Sequence, residues 1–360
     1  MSTPKATKAS PASPAAADKK RDKDKAMQYL SYLCSVFTFC QVLSYVVKMV
    51  LFENITIDNF KSIKHIELND CRRINLFIGR PNVGKSNMLE ALSLFSLPYL
   101  KYSRKKTLRS FIRIENDAEL FYDGNTEEPA SVEVEARGKV INKVSANLKY
   151  QELRVTEKPE TGPKIPVKSY FFPSKFEKGK LSVDFLLPPH GDNLMDIVNR
   201  LSQLPKELKD IFNDYGLKYV FDTTNQEIKV IKETSPEKIS LIPFGSISDT
   251  LKRLIFYKAA IESNTGSVLI FEEPEAHSYP PYISKITQTI LASASNQFFI
   301  TTHSPYVVND FLESGRDELA IYLVDFRKGQ TFVKRLNDTE LQEVYEYGVD
   351  LFFNTETFLP

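Results

Sequence analysis

The stretch "GRPNVGKSN", Gly79–Asn87, decides the fold. It fits G-x-x-x-x-G-K-[ST], a loop whose backbone amides and following helix N-terminus offer donors and a positive dipole to phosphate oxygens. The run before it, "RINLFIG", is short and apolar and ends on Gly79, so it reads as a buried strand. After it come Met88, Leu89, Leu92, Leu94 and Phe95 at helical spacing, and Pro98 is expected to stop that helix. Strand, glycine loop and helix in that order are the context in which the pattern binds nucleotide. Gly79, Arg80, Pro81, Asn82, Val83, Gly84, Lys85, Ser86 and Asn87 are therefore the expected phosphate cradle. Lys85 is expected to reach the β- and γ-phosphates, and Ser86 to bind Mg²⁺ through its hydroxyl.

The spelling "GRPNVGKS" also suits a GTPase. Guanine recognition needs Asn-Lys-x-Asp, and the nearest stretch, "NKVS" at Asn142, lacks the Asp; a D-x-x-G switch is absent too. Two missing elements outweigh one spelling, so ATP is the expected nucleotide.

Two further buried strands end in reactive side chains. "SVLIFEEPEAH" delivers Glu272 and Glu273 to a strand's carboxyl end, where ligands sit in open α/β sheets. The first acid there can hold Mg²⁺ and the second can polarise an attacking water. "QFFITTHSP" brings Thr301, Thr302 and His303 to the same kind of edge, and a histidine there can donate to a phosphate or a water. His65, His190 and His277 keep ordinary structural or surface roles.

The remaining elements are read by period. "LFENITIDNF" alternates and forms a strand, with "HIELND" as its hairpin partner. Residues 117–170 carry alternating segments, with Asp123-Gly124 suited to a hairpin turn. "PPHGDNLMDIVNRL" reads as a helix capped by Asp192 or Asn193, and "PKELKDIFNDYG" as one stopped by Gly216. From Gly245 helices and strands alternate, which implies a mostly parallel sheet. The expected fold class is α/β: a P-loop NTPase with a mixed sheet flanked by helices, an antiparallel β lobe and a small helical insertion, over residues 49–360 with the insertion at 117–235.

Composition narrows the classes. A net charge of +1 over 360 residues gives no global sign of nucleic-acid binding, so any DNA contact must be local. "KYSRKKTLRSFIR", residues 101–113, holds basic and aromatic residues without an acid and is the best local candidate; a solvated basic face is the simpler reading. Cys34, Cys40 and Cys71 lack metal-ligand spacing and fit a reducing compartment, so a cytoplasmic location is expected. Residues 1–25 have the composition of a disordered tail. Residues 26–47 carry no charge and reach the length of a membrane span. A Lys-rich leader kept inside would place the nucleotide-binding body outside, where ATP is scarce, and that counts against a span. A helix packing on the body or a partner, or an extension ahead of a natural start at Met49, are the other readings of 26–48.

Phosphate loop, "FEEPEAH" and "TTHSP", in that order, resemble the ABC-type ATPase heads of the RecF, SMC and OLD (overcoming-lysogenization-defect) kind, and "ITIDNFKSIKHIEL" is similar to their opening strands. The resemblance covers Leu51 to about Arg113 and Phe244 to about Leu351. It implies Lys85 and Ser86 as phosphate and Mg²⁺ ligands, Glu272 as the Walker B acid, Glu273 as catalytic base and His303 as switch histidine. "FGSISDTLKRLIFY" resembles the signature loop, with Ser248 in the signature serine's role and Thr250 where the family has glycine. Long heptad arms are absent, which places the chain nearer RecF and OLD than SMC. The chain ends at Pro360, too soon for a TOPRIM nuclease domain, so a separate effector, a nuclease or toxin, is expected. The resemblance implies an ATP-gated homodimer or higher oligomer, DNA as a further partner, and work in DNA repair or anti-phage defence. A slow-turnover scaffold that sequesters a partner is the alternative.

Overall fold

The computed structural model describes residues 51–160, 164–177, 183–235 and 238–359. The tail expected over 1–25 and the apolar segment of 26–48, with Cys34 and Cys40, lie outside the described residues. Among the described residues no helix is long and apolar enough to cross a membrane.

In chain order the elements begin with β1 (Asn54–Phe60), β2 (Ile63–Leu68), β3 (Ile74–Ile78) and α1 (Lys85–Ser93). Next come β4 (Ala130–Ala136), β5 (Lys139–Lys149), β6 (Glu152–Pro159), β7 (Val167–Tyr170), α2 (Leu194–Arg200), α3 (Leu204–Asp214), β8 (Lys218–Asp222), β9 (Glu227–Ser235) and β10 (Lys238–Pro243). The last part holds α4 (Asp249–Glu262), β11 (Val268–Glu272), α5 (Pro280–Ala292), β12 (Gln297–Thr301), α6 (Pro305–Ser314), β13 (Leu319–Arg327), β14 (Gln330–Arg335), α7 (Asp338–Tyr347) and α8 (Thr355–Phe358).

Among the described residues the strands form three sheets. The central one has the order β14-β13-β3-β12-β11-β7, and only the β13–β14 hairpin in it is antiparallel. An antiparallel sheet, β2-β1-β4-β5-β6, covers one face, and a small one, β10-β9-β8, pairs with neither but packs Ile228 and Val230 into the core that the central strands share. The opening strands β1 and β2 thus share a sheet with β4–β6.

Strand periodicity explains why the central strands read as unbroken apolar runs. Ile74, Leu76 and Ile78 of β3, Leu269 and Phe271 of β11, and Phe298 and Ile300 of β12 enter a core with the helices α2–α6. The alternate residues, Phe77, Val268, Ile270 and Phe299, enter a second core beneath α1 and the antiparallel sheet. Both faces of the sheet are covered, so neither face of a strand is free to be polar. The polar exception on β3, Asn75, is fully buried and satisfied: its amide donates to Phe298 O at 3.0 Å and accepts from Arg72 N at 2.9 Å.

Three local expectations change. The helix after the loop does not stop at Pro98. It tightens into a 3₁₀ helix over Leu94–Tyr102 that contains Pro98, and Ser93 Oγ bonds back to Leu89 O at 2.7 Å where the change occurs. Asp123-Gly124 makes a 3₁₀ turn, not a hairpin: both residues have positive φ (49° and 68°), but the chain before them is the 3₁₀ helix Asp117–Leu120 and offers no strand to pair. Asn193 stands at the N-cap of α2, yet its side chain bonds Leu187 N at 2.8 Å and Phe185 O at 3.0 Å instead of the helix, pinning the preceding loop.

Candidate active site

Strand order brings the three motifs together. In register, Phe77 of β3 pairs with Thr301 of β12, and Thr301 pairs with Glu272 of β11. The loop after β3, the acids ending β11 and the turn after β12 therefore leave the sheet at one edge, as open α/β sheets require of a ligand site.

The loop is held in its curled form by the C-terminal hairpin and the β1–β2 turn. Gly84 has φ +101°, and a Cβ there would lie 2.1 Å from Thr331 Oγ1 and 2.8 Å from Ser62 Oγ. A Cβ on Gly79 would meet Val324 O at 2.1 Å. Asn87 Nδ2 donates to Ser62 Oγ at 2.6 Å, and Ser62 Oγ shares a second 2.6 Å hydrogen bond with Thr331 Oγ1. Val83 is buried and anchors the loop, Pro81 and Asn82 are exposed at its tip, and Asn82 has φ 62°. Arg80 reaches Asp325 at 3.1 Å. Lys85 Nζ donates to Gly79 O at 2.8 Å and Arg80 O at 2.7 Å. Burial lowers the Lys85 pKa to about 8, partly offset by the Glu273 carboxylate.

Glu272 Oε1 accepts from Ser86 Oγ at 2.5 Å and from Arg113 Nη2 at 2.7 Å. Arg113 Nε also donates to Glu90 Oε1 at 2.6 Å. Glu90, 2% exposed on α1, takes the Lys61 ammonium as well, and that ammonium donates to Arg113 O at 2.8 Å. Two cations and two carboxylates thus interlock beside the loop.

Glu273 occupies a left-handed backbone position, φ 43°, where a side chain with Cβ costs about 1–3 kcal/mol. Its N–H donates to Thr301 O at 3.0 Å, and its own carbonyl accepts from Ala276 N at 3.0 Å. This sharp turn lifts its carboxylate to 3.5 Å from His303 Nε2. Burial, then the Lys85 cation, lowers the His303 pKa, and Glu273 opposes both. A neutral imidazole keeps one ring nitrogen as donor and one as acceptor.

Ser248 caps α4, its hydroxyl accepting from Leu251 N at 3.4 Å. Thr250 Oγ1 donates to His277 O at 3.1 Å, so the start of α4 is docked on the turn after β11. Gln151 sits at the tip of the β5–β6 hairpin with φ 60°.

The chemistry of these groups fits Mg²⁺ and a nucleotide. A hydroxyl and a carboxylate already in contact are hard oxygen donors of the kind Mg²⁺ takes, and the glycine-lined curl carries a lysine over its own carbonyls. Lys61, Glu90, Arg113 and Thr331 escape the sequence reading, because nothing in local pattern links residues so far apart. Arg113 belongs to the basic run 101–113, but in the fold Lys105, Lys106, Arg109 and Arg113 of that run all pair with acids. That pairing weakens the positive field a nucleic acid would meet.

Residues 74–309 match the family model described as "AAA domain, putative AbiEii toxin, Type IV TA system". Among solved structures, the SmcHead bound to the C-winged helix domain of ScpA aligns with TM-score 0.50 and 13% identity, covering 81% of this chain and 99% of that one. The Smc head domain with an extended coiled coil bound to the C-terminal domain of ScpA, derived from Pyrococcus furiosus, aligns with TM-score 0.48 and 13% identity, covering 82% and 98%. The first likeness supports the fold alone. No curated protein matches the chain.

Proposed function

The chain belongs to this AAA-domain family and is an ATP-binding P-loop ATPase, and from that premise we propose that it is of the ABC type and a Mg²⁺-dependent, ATP-gated switch that works as a homodimer or higher oligomer. The observation that carries the proposal is the contact of Ser86 with Glu272, beside Glu273 and His303 on neighbouring strand ends. Lys85 and the amides of Gly79–Asn87 bind and orient the phosphates. Ser86 and Glu272 hold the metal, which when bound supplies positive charge to phosphate oxygens. Glu273 takes the proton of the attacking water, and His303 orients that water or the terminal phosphate. Ser248 reads the phosphate held by the second subunit.

The family description points the output to a toxin–antitoxin type of defence, and we place the chain there, controlling a separate effector or DNA. DNA repair is the other output this ATPase class suits. A slow-turnover scaffold that assembles a partner remains the second reading, favoured by Thr250 where a glycine would leave more room for a phosphate.

Glu273→Gln is the deciding experiment. The variant should bind ATP with wild-type affinity and lose turnover by at least about 100-fold, the low end of a general base's contribution. Wild-type turnover in Glu273→Gln would remove the base from the site. ATP-dependent mass measured by light scattering, on the full chain and on a protein starting at Met49, tests the oligomer; equal mass with and without ATP refutes the gating.

A further inference from the structure

The motif "FEEPEAH" has a third acid with no part in the scheme above. Glu273 points outward, whereas Glu275 turns inward and is 7% exposed. Glu275 Oε1 accepts from Thr302 Oγ1 at 2.7 Å and from His303 N at 3.0 Å. Thr302 Oγ1 in turn accepts from Ser304 N at 3.0 Å. One carboxyl oxygen thus organises the whole turn that carries His303.

The other oxygen has a different environment. Glu275 Oε2 is buried and has no hydrogen-bond partner. The side chain borders an apolar cavity of about 10 Å³ lined by Ile283, Ile286, Ile300, Val307 and Phe311. That volume is at the lower limit for a water, and the hydroxyl in the wall, that of Thr287, is already engaged with Asp310 Oδ2 and Ser284 O. Burial accordingly raises the Glu275 pKa above the ordinary carboxylate range.

We infer that Glu275 is a positioning residue, a strut that locks the turn after β11 to the turn after β12 and so sets His303 against Glu273. It needs only an acceptor at Oε1 and bulk at Oε2. The inference deepens the proposed site and rests on that proposal for its consequence in turnover. The strut itself is testable without it.

Three properties separate a strut from a charge or a mere filler. Gln keeps the acceptor and the bulk without any charge; Ala removes both. The chain has four histidines, so the imidazole C–H resonances in a proton NMR spectrum are few, and His303→Gln identifies the one that matters. In the full-length protein Glu275→Gln should keep kcat within about threefold and leave the His303 resonance in place. Glu275→Ala should lower kcat by about 10–100-fold, the range for loss of an outer-shell orienting partner, with KM for ATP changed less than twofold. It should also shift the His303 resonance while those of His65 and His190 stay. Gln as damaging as Ala would show that a charge is required and overturn the strut. An unmoved His303 resonance in Glu275→Ala, or loss of all four resonance positions together, would overturn it as well. If the wild type does not hydrolyse ATP, the proposed function falls while the His303 resonance still decides the strut.

Discussion

Lys168 offers a quantitative test of the fold's electrostatics. It lies on β7, 5% exposed, in the central sheet. Its ammonium donates to Asn264 Oδ1 and, at 3.4 Å, to Ser267 Oγ, and it stands 4.3 Å from the Phe185 ring centroid and 5.6 Å from that of Tyr99. Burial lowers its pKa from 10.5 to about 8. The charged form is therefore disfavoured in the fold relative to the unfolded chain. The penalty is fully present below pH 8 and is lifted as pH rises from about 8 towards 10.5, because in that window the unfolded chain holds the extra proton. At 1.36 kcal/mol per pKa unit it is about 3 kcal/mol at pH 7 and falls below about 1 kcal/mol at pH 10. Lys168→Met keeps the stem between the two rings and removes the titration. Urea unfolding of both proteins at half-unit steps from pH 7 to 10 gives the difference in stability, in which groups common to both cancel. The wild type should gain about 2–3 kcal/mol on the variant over that range. The absolute offset depends on the lost hydrogen bonds and cation–π contacts; the pH dependence does not. A difference that stays flat across the range would show that Lys168 is solvated in the folded protein and refute the reasoning.

Two other expectations concern the loop. Gly84→Ala should destabilise the protein by roughly 2 kcal/mol or more from its positive φ alone, and combining it with Thr331→Ala should recover only the steric share, as a double-mutant cycle in chemical denaturation would report. Arg113→Gln frees Glu272 Oε1 of a competing guanidinium, so half-maximal ATPase activity should need several-fold less Mg²⁺; an unchanged or higher requirement would mean that Arg113 does not compete for that oxygen.

The site was legible where local pattern and chemistry coincide. Buried five-residue strands ending in Ile78, Glu272 and Thr301 were visible as apolar runs, and each emerges at the same sheet edge. Position-dependent details were less so. Pro98 looked like a terminator because its missing N–H breaks an α-helix, but a 3₁₀ extension accommodates it. The basic run 101–113 looked free because its acids, Glu90, Asp117, Glu177, Asp192 and Glu272, all lie outside it in sequence.

By itself the sequence determined the class of fold and picked out the candidate site residues. Periodicity records which faces are buried, and a glycine loop between strand and helix has few other uses. Only the tertiary structure decided which strands are neighbours. β12 lies between β3 and β11 although it follows both in the chain, and that placement sets His303 3.5 Å from Glu273. The same packing puts Thr331 against Gly84, Arg113 on Glu272, and Glu275 under His303. Such contacts depend on how two cores fill the two faces of one sheet, a global condition that no local window of residues contains.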